Sequence, residues 1–334
     1  MTTAPGRALA LELAFMSETP FTTAAVIGTG MMGPGIALTL AMGGLRTTIL
    51  SRTPETAASG IEKARAQARL LAENQLAAPE LLDRALSLLE ASTDFDDTIR
   101  AAGLVIESGP EDMAWKQALF ARLDALAAPE AILASNTSGL SITAISSACS
   151  RPQRALTTHF WNPPHLMPLV EIVKGEQTAD HALESVRTLL AACGKTPVVV
   201  RKDRPGQLGN RLQMALVREA AYMISEGIAT AADIDTVARN GFGLRMPAYG
   251  ILEHQDVVGL TLGLGLVDYV SPDLCNEPRA PEYFRDLVRR GHLGAATGMG
   301  FYDWSVKDAG AVKTRRDRFL IDVLRYRRQN PSQA

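Results

Sequence analysis

The chain has 334 residues, of which 46% are hydrophobic and 21% charged, with a formal net charge of −2. That length accommodates two domains. The composition excludes a disordered or fibrous protein, and the near-zero charge gives no global attraction to nucleic acid or anionic lipid. Three widely spaced cysteines, Cys149, Cys193 and Cys275, form neither a disulfide framework nor a zinc pattern, which fits a reducing cytoplasm.

Residues 1–20, "MTTAPGRALALELAFMSETP", place Arg7 before an apolar run. Glu12 interrupts that run and no small-residue cleavage site follows, so the segment reads as an N-terminal arm, with a short helix as one form, rather than a secretory signal. From Thr19 to Leu45 there is no charged residue. A membrane helix needs about 20 apolar residues, so the length qualifies. The pattern does not, because Gly28, Gly30, Gly33, Pro34, Gly35, Gly43 and Gly44 break it in an ordered way. "AAVI" reads as a buried strand, "GTGMMG" as G-x-G-x-x-G, and "IALTLAMGG" as a helix with Pro34 in its first turn and glycines at its end. A second strand, "TTILSR", follows. In that context Gly28 makes the turn, Gly30 lets backbone approach a pyrophosphate, and Gly33 lets the helix pack on the strand, with Met31 and Met32 between them. The pyrophosphate is expected on the helix N-terminus. The bland alternative is a glycine-rich turn in some other α/β domain.

Further strand candidates are 104–108, 131–136, 155–161, 169–173 and 197–202, alternating with helical stretches. Such alternation predicts a mainly parallel sheet with helices on both faces. After "KDRPGQLGN" the texture changes: 211–228 reads as a long apolar helix and no good strand run appears beyond 203. The expected organisation is an arm over 1–20, a Rossmann-type α/β domain over 21–203, and an all-helical domain over 204–334. The long helix needs burial in its own core or against a second subunit. The basic "KTRRDRFLIDVLRYRRQ" reads as a solvated amphipathic helix with Phe319, Leu320, Val323 and Leu324 inward, rather than a nucleic-acid or membrane contact.

"THFWNPPHLMPLVEIVKG" brings His159 to the end of one predicted strand and Glu171 onto the next, where a turn through "NPPH" places them close. A histidine held by a carboxylate is a suitable general base near neutral pH, although a lone histidine is more often structural. Upstream, "SNTSG" puts Ser138 at the carboxyl end of another strand, where parallel sheets bind ligands.

Together "GTGMMG", "VIESGPEDMAWK", "ASNTSGLSIT", "HFWNPPHLMPLVEIVKG", "KDRPGQLGNRL" and "GMGFYDW" resemble the 3-hydroxyacyl-CoA dehydrogenase family in order, across residues 24–304. The resemblance implies that His159 takes the proton of a substrate 3-hydroxyl as hydride passes from C3 to the nicotinamide of NAD(P). It implies that Glu171 orients the imidazole and that Ser138 and Asn210 hydrogen-bond the reacting oxygens. It also gives Glu111, Lys116 and Asn162 the cofactor's ribose and nicotinamide side. The plainer alternatives are a surface ion pair for Glu111 and Lys116 and a helix N-cap for Asn210. The resemblance further implies a homodimer and a cleft between the domains.

The sequence departs from the family in places. Where the family ends its second strand with Asp, Ser51 stands here, followed by Arg52. A serine and a guanidinium suit a 2′-phosphate, so NADP preference is expected. The family's CoA-contacting Ser and Lys align with Ala64 and Leu71, its C-terminal Lys with Ala296, and its Phe with Gln207. "GFGLRMPAYGILE" is similar to the L-gulonate 3-dehydrogenase (lambda-crystallin) branch, and its Arg245 suits bidentate clamping of a free carboxylate, or a plain salt bridge. Two substrates therefore remain open: a 3-hydroxyacyl-CoA thioester such as 3-hydroxybutyryl-CoA, with Lys63, Arg65 and Arg69 as basic candidates, or a small free 3-hydroxy acid. A non-catalytic structural or cofactor-sensing homologue is the rival of another class. No metal is implied, since none of the five histidines stands in a ligand-spaced pattern.

Overall fold

The computed structural model of the protein describes residues 20–330; the N-terminal arm expected over 1–20 lies, but for Pro20, outside the described residues. The described residues divide into two compact units, 20–210 with 320–325, and 211–319 with 326–330.

The first unit is built on one eight-stranded sheet: β1 (Thr23–Ile27), β2 (Arg46–Leu50), β3 (Leu89–Ser92), β4 (Leu104–Glu107), β5 (Ile132–Ser135), β6 (Ala155–Phe160), β7 (Leu169–Lys174) and β8 (Thr196–Val200). The spatial order is β3-β2-β1-β4-β5-β6-β7-β8, and every neighbouring pair is parallel except β6 with β7. Strand order therefore reverses beside β1, and the loops after β1 and β4 open at that switch point. The central strands are apolar on both sides, as buried parallel strands must be. Val26, Leu104, Ile106, Ile132 and Leu156 pack with Ile36, Leu40 and Leu189 on one face. Ala25, Val105 and Leu133 pack with Ile99, Phe120 and Ile142 on the other.

The helices of this unit are α1 (Gly33–Met42), α2 (Pro54–Glu73), α3 (Pro79–Ser87), α4 (Phe95–Ala101), α5 (Met113–Leu126), α6 (Ile142–Ile145) and α7 (Asp180–Ala192). Their starts follow local chemistry. The side chains of Thr53, Asp94, Asp112 and Ser141 each accept from the amide three residues on. The strands expected over 104–108, 169–173 and 197–202 span 104–107, 169–174 and 196–200. The strand β3 carries no apolar run and is not expected from the sequence; it pairs only with β2, at the sheet edge. The strand expected over 131–136 spans 132–135, and the one expected over 155–161 stops at Phe160, which releases Trp161 from the ladder.

The second unit is helical: α8 (Gly209–Ser225, its first two residues in the first unit), α9 (Ala231–Asn240), α10 (Phe242–Arg245), α11 (Ile251–Val258), α12 (Leu260–Val270), α13 (Glu282–Arg289) and α14 (Ala309–Gln329). Among the described residues no strand follows Val200; only isolated bridges join Gly294, Met299 and Asp303. Residues 320–325 of α14 belong to the first unit, where Ile321 is buried among Leu38, Leu71 and Leu82. Phe319, expected inward, is 56% exposed: it lies two residues before Ile321, on a different side of the helix. No described helix is long and apolar enough to cross a membrane.

Candidate active site

Antiparallel pairing of β6 and β7 sets His159 directly opposite Glu171, so their side chains share one face of the sheet. His159 Nδ1 lies 2.8 Å from Glu171 Oε2, and both residues are buried. An ionised carboxylate only accepts, so Nδ1 carries the proton and Nε2 keeps its lone pair. Glu171 is held from three further directions. Trp161 Nε1 donates to Oε2 at 3.1 Å, and the amides of Leu208 and Gly209 donate to Oε1 at 2.9 Å each. Burial pushes this carboxyl up, but the bonds from His159, Gly209, Leu208 and Trp161 together outweigh it and hold it down at about 2.

Ser138 lies exposed in the loop after β5, and that loop is pinned from two sides. Glu111 Oε1 accepts from Thr137 Oγ1 at 2.6 Å and from the amides of Ser138 and Gly139 at 3.0 and 3.2 Å. Asn210 Nδ2 donates to the Ser138 carbonyl at 2.7 Å. Asn210 is the second residue of α8 and not its N-cap, and its side chain is turned onto the loop. Gln207, in the left-handed region at φ 53°, is buried and donates from Nε2 to the Thr137 carbonyl at 3.1 Å. Asn136 ties the strand ends together, donating to Ser108 Oγ at 3.2 Å and accepting from the Phe160 amide at 2.8 Å.

The glycine turn sits at the switch point. Gly28 has φ +119°, and a Cβ there would lie 2.5 Å from the Ser108 carbonyl oxygen; a Cβ on Gly33 would meet the Gly28 carbonyl at 1.9 Å. Gly30 faces open space. Met31 is exposed and Met32 occupies the N-cap position of α1. That helix start has no side-chain cap and no acidic residue in its first turn, so its free N–H groups and positive dipole end suit an anion. These residues fit the pyrophosphate of a dinucleotide. At the end of β2, Ser51 Oγ lies 2.6 Å from Thr56 Oγ1, and Arg52 is exposed.

Lys116 is not a surface partner. It is 1% exposed, and its Nζ donates to both oxygens of the fully buried Glu107, at 2.7 and 2.8 Å, with Glu111 Oε2 at 3.6 Å. Glu107 also accepts from Ser135 Oγ and from the Gly109 amide. Neither Glu107 nor Trp161 is singled out by the sequence alone. The signal for Glu107 is a lone carboxylate closing the apolar strand "LVIE", which a buried position leaves in need of a cation. Of the other expected residues, Asn162 is exposed directly after Trp161, and Arg245 is exposed at the end of α10 in the helical unit. Ala64 and Leu71 face inward from α2, buried among Leu38, Ala68 and Leu82. Among the described residues no cluster of three or more His, Cys, Asp or Glu is arranged to hold a metal ion.

The profile of the 3-hydroxyacyl-CoA dehydrogenase NAD binding domain matches residues 23–204, and that of the 3-hydroxyacyl-CoA dehydrogenase C-terminal domain matches residues 206–304. A 5-formyl-3-hydroxy-2-methylpyridine 4-carboxylate 5-dehydrogenase from Mesorhizobium japonicum is 32% identical over 303 residues, 90% of this chain and 96% of that protein. A crystal structure of a dehydrogenase of the same description, an NAD+-dependent dismutase, superposes with TM-score 0.85 at 30% identity, covering 92% of this chain and 98% of that one. The (S)-3-hydroxybutyryl-CoA dehydrogenase of Ralstonia eutropha superposes with TM-score 0.71 at 31% identity, covering 85% and 99%.

Proposed function

The chain belongs to the 3-hydroxyacyl-CoA dehydrogenase family and is an NAD-dependent oxidoreductase, and from that premise we propose that it interconverts an L-3-hydroxyacyl compound and its 3-keto form. The observation that carries this reading is the His159–Glu171 pair, whose 2.8 Å bond leaves imidazole Nε2 as a proton acceptor. Bound NAD(P) supplies the acceptor for the hydride that leaves C3. His159 Nε2 takes the proton of the 3-hydroxyl, and Glu171 stabilises the imidazolium that results. Ser138 and Asn210, joined by their own hydrogen bond, are assigned to the substrate oxygens. Glu111 fixes their loop, and Asn162 is assigned to the nicotinamide side. An intact dyad argues against a purely structural or sensing role.

The test is to follow loss of reduced nucleotide with acetoacetyl-CoA, using NADH and NADPH in parallel. Turnover with either establishes the thioester activity. No turnover, in a protein that still binds nucleotide, moves the substrate to free 3-hydroxy acids. One observation favours that second reading. The positions aligned with the family's CoA contacts, Ala64 and Leu71, are buried in apolar surroundings and offer no polar grip. The superposed dehydrogenase with TM-score 0.85 is likewise named for a pyridine carboxylate, not a thioester. On this reading Arg245 holds the free carboxylate, and Arg245→Ala raises KM for the acid; an unchanged KM removes Arg245 from the site.

For the cofactor, Ser51 and the exposed Arg52 favour NADP, because Ser51 replaces the carboxylate that would repel a 2′-phosphate at the end of β2. A higher kcat/KM with NAD would overturn that preference. We also assign the helical unit to homodimerisation. Leu212, Met214 and Leu216 of α8 are half or more exposed, and an apolar groove of about 860 Å³ runs between Leu216, Met223, Val237, Phe242 and Phe319. A second copy of the chain is the proposed occupant, to be read from the mass in solution. Three unpaired cysteines agree with a cytoplasmic setting.

A further inference from the structure

Trp161 shares an oxygen with the base. Its indole Nε1–H and His159 Nδ1–H both point at Glu171 Oε2, at 3.1 and 2.8 Å, and the two rings lie 5.4 Å apart at 48°. We propose that Trp161 is a positioning residue that sets the basicity of His159 through the carboxylate they share. The inference rests on His159 being the base, but its test does not require turnover.

The charge of Glu171 is shared among its donors. Every N–H donated to a carboxylate withdraws negative charge that would otherwise stabilise a neighbouring imidazolium. Glu171 receives one such bond from the indole and two from the Leu208 and Gly209 amides. Its strand neighbours Val170 and Ile172, and Val198 opposite it on β8, are apolar. Among the described residues His159 is the only titratable partner in hydrogen-bond or ion-pair contact with Glu171, and no lysine or arginine pairs with it. Loss of the indole donor is therefore not compensated by a cation in contact with Glu171 among the described residues.

The indole is also seated with care. A Cβ on Gly209 would lie 2.3 Å from Trp161 Cζ2, so the ring lies against the backbone that supplies one of the opposing amides. Only a glycine there leaves room for the ring.

The experiment is an NMR titration of the His159 imidazole in the full-length protein, assigned by its loss in His159→Gln. In Trp161→Phe the imidazole titration is expected to move up by about half a pH unit or more. Where a substrate is turned over, the acid limb of kcat/KM for alcohol oxidation moves up with it. Gly209→Ala, which drives the indole off Glu171 without removing it, is expected to shift the titration in the same direction. In a Glu171→Gln background, Trp161→Phe is expected to produce no shift. An unchanged or lowered titration in folded Trp161→Phe overturns the proposal. If that variant does not fold, the same result in Gly209→Ala overturns it. Absence of turnover with a shifted imidazole would count against the proposed reaction and leave the role of Trp161 standing.

Discussion

Two carboxylates of one sheet, Glu107 and Glu171, are equally withdrawn from water and are met by different kinds of partner. Glu107 is neutralised by a full cation, the buried Lys116 ammonium, which bridges both its oxygens. Glu171 is met by three uncharged N–H donors and one imidazole. The first arrangement cancels a charge, so Glu107 orders the loop beside the switch point and has little left to exert on a ligand. The second keeps the charge and aims it at His159. Where the counter-charge is absent, the imidazolium of the proposed alcohol oxidation would supply it.

The comparison breaks first at the dyad. Glu171→Gln removes the charge and offers His159 a donor as readily as an acceptor, so kcat is expected to fall by about 10²-fold or more. Steady-state kinetics with nucleotide saturated checks this. Glu107→Ala strands a buried ammonium and is expected to cost about 3–5 kcal/mol of stability, read from denaturant unfolding. Replacing both partners, Glu107→Leu with Lys116→Met, is expected to cost much less, because no unpaired charge remains.

The acid side sharpens the contrast. Glu171 is held down at about 2 from an ordinary 4.5. Its folded pKa is depressed, so its contribution to stability is complete above about 4.5 and is lost as pH falls toward 2. The stability gap between the wild type and Glu171→Gln is therefore expected to shrink across that window. A gap independent of pH there would contradict the depressed carboxyl. The smallest effect lies farthest from either carboxylate. Ser51→Asp is expected to move the NADP-to-NAD ratio of kcat/KM about tenfold toward NAD, the scale of a single charge contact.

What the sequence discloses follows from how local each feature is. The glycine turn, the helix with Pro34 in its first turn, and β2 lie within one continuous stretch, and each constrains the next. His159 and Glu171 are legible because a short turn joins their strands and period-two geometry does the rest. The strand β3 is not legible, since an edge strand of sequence "LEAS" has little apolar surface to bury. The inward position of Lys116 depends on Glu107 nine residues earlier and on the packing of α5, which no local pattern encodes. The plainer alternative for Asn210, a helix cap, follows from the preference of caps for Asn, yet its amide is claimed by a carbonyl 72 residues away. The return of residues 320–325 to the first unit, with Arg325 donating to the Asn74 carbonyl at 2.8 Å, is likewise a long-range fact.

His159 Nε2 is the proposed acceptor of the substrate proton, and its replacement tests this. His159→Gln would be compared with the wild type for nucleotide affinity and for the rate of reduced-nucleotide formation under saturating substrate. Unchanged nucleotide affinity with a rate about 10²–10⁴-fold lower is expected. A variant that keeps the wild-type rate would show that the proton leaves by another group.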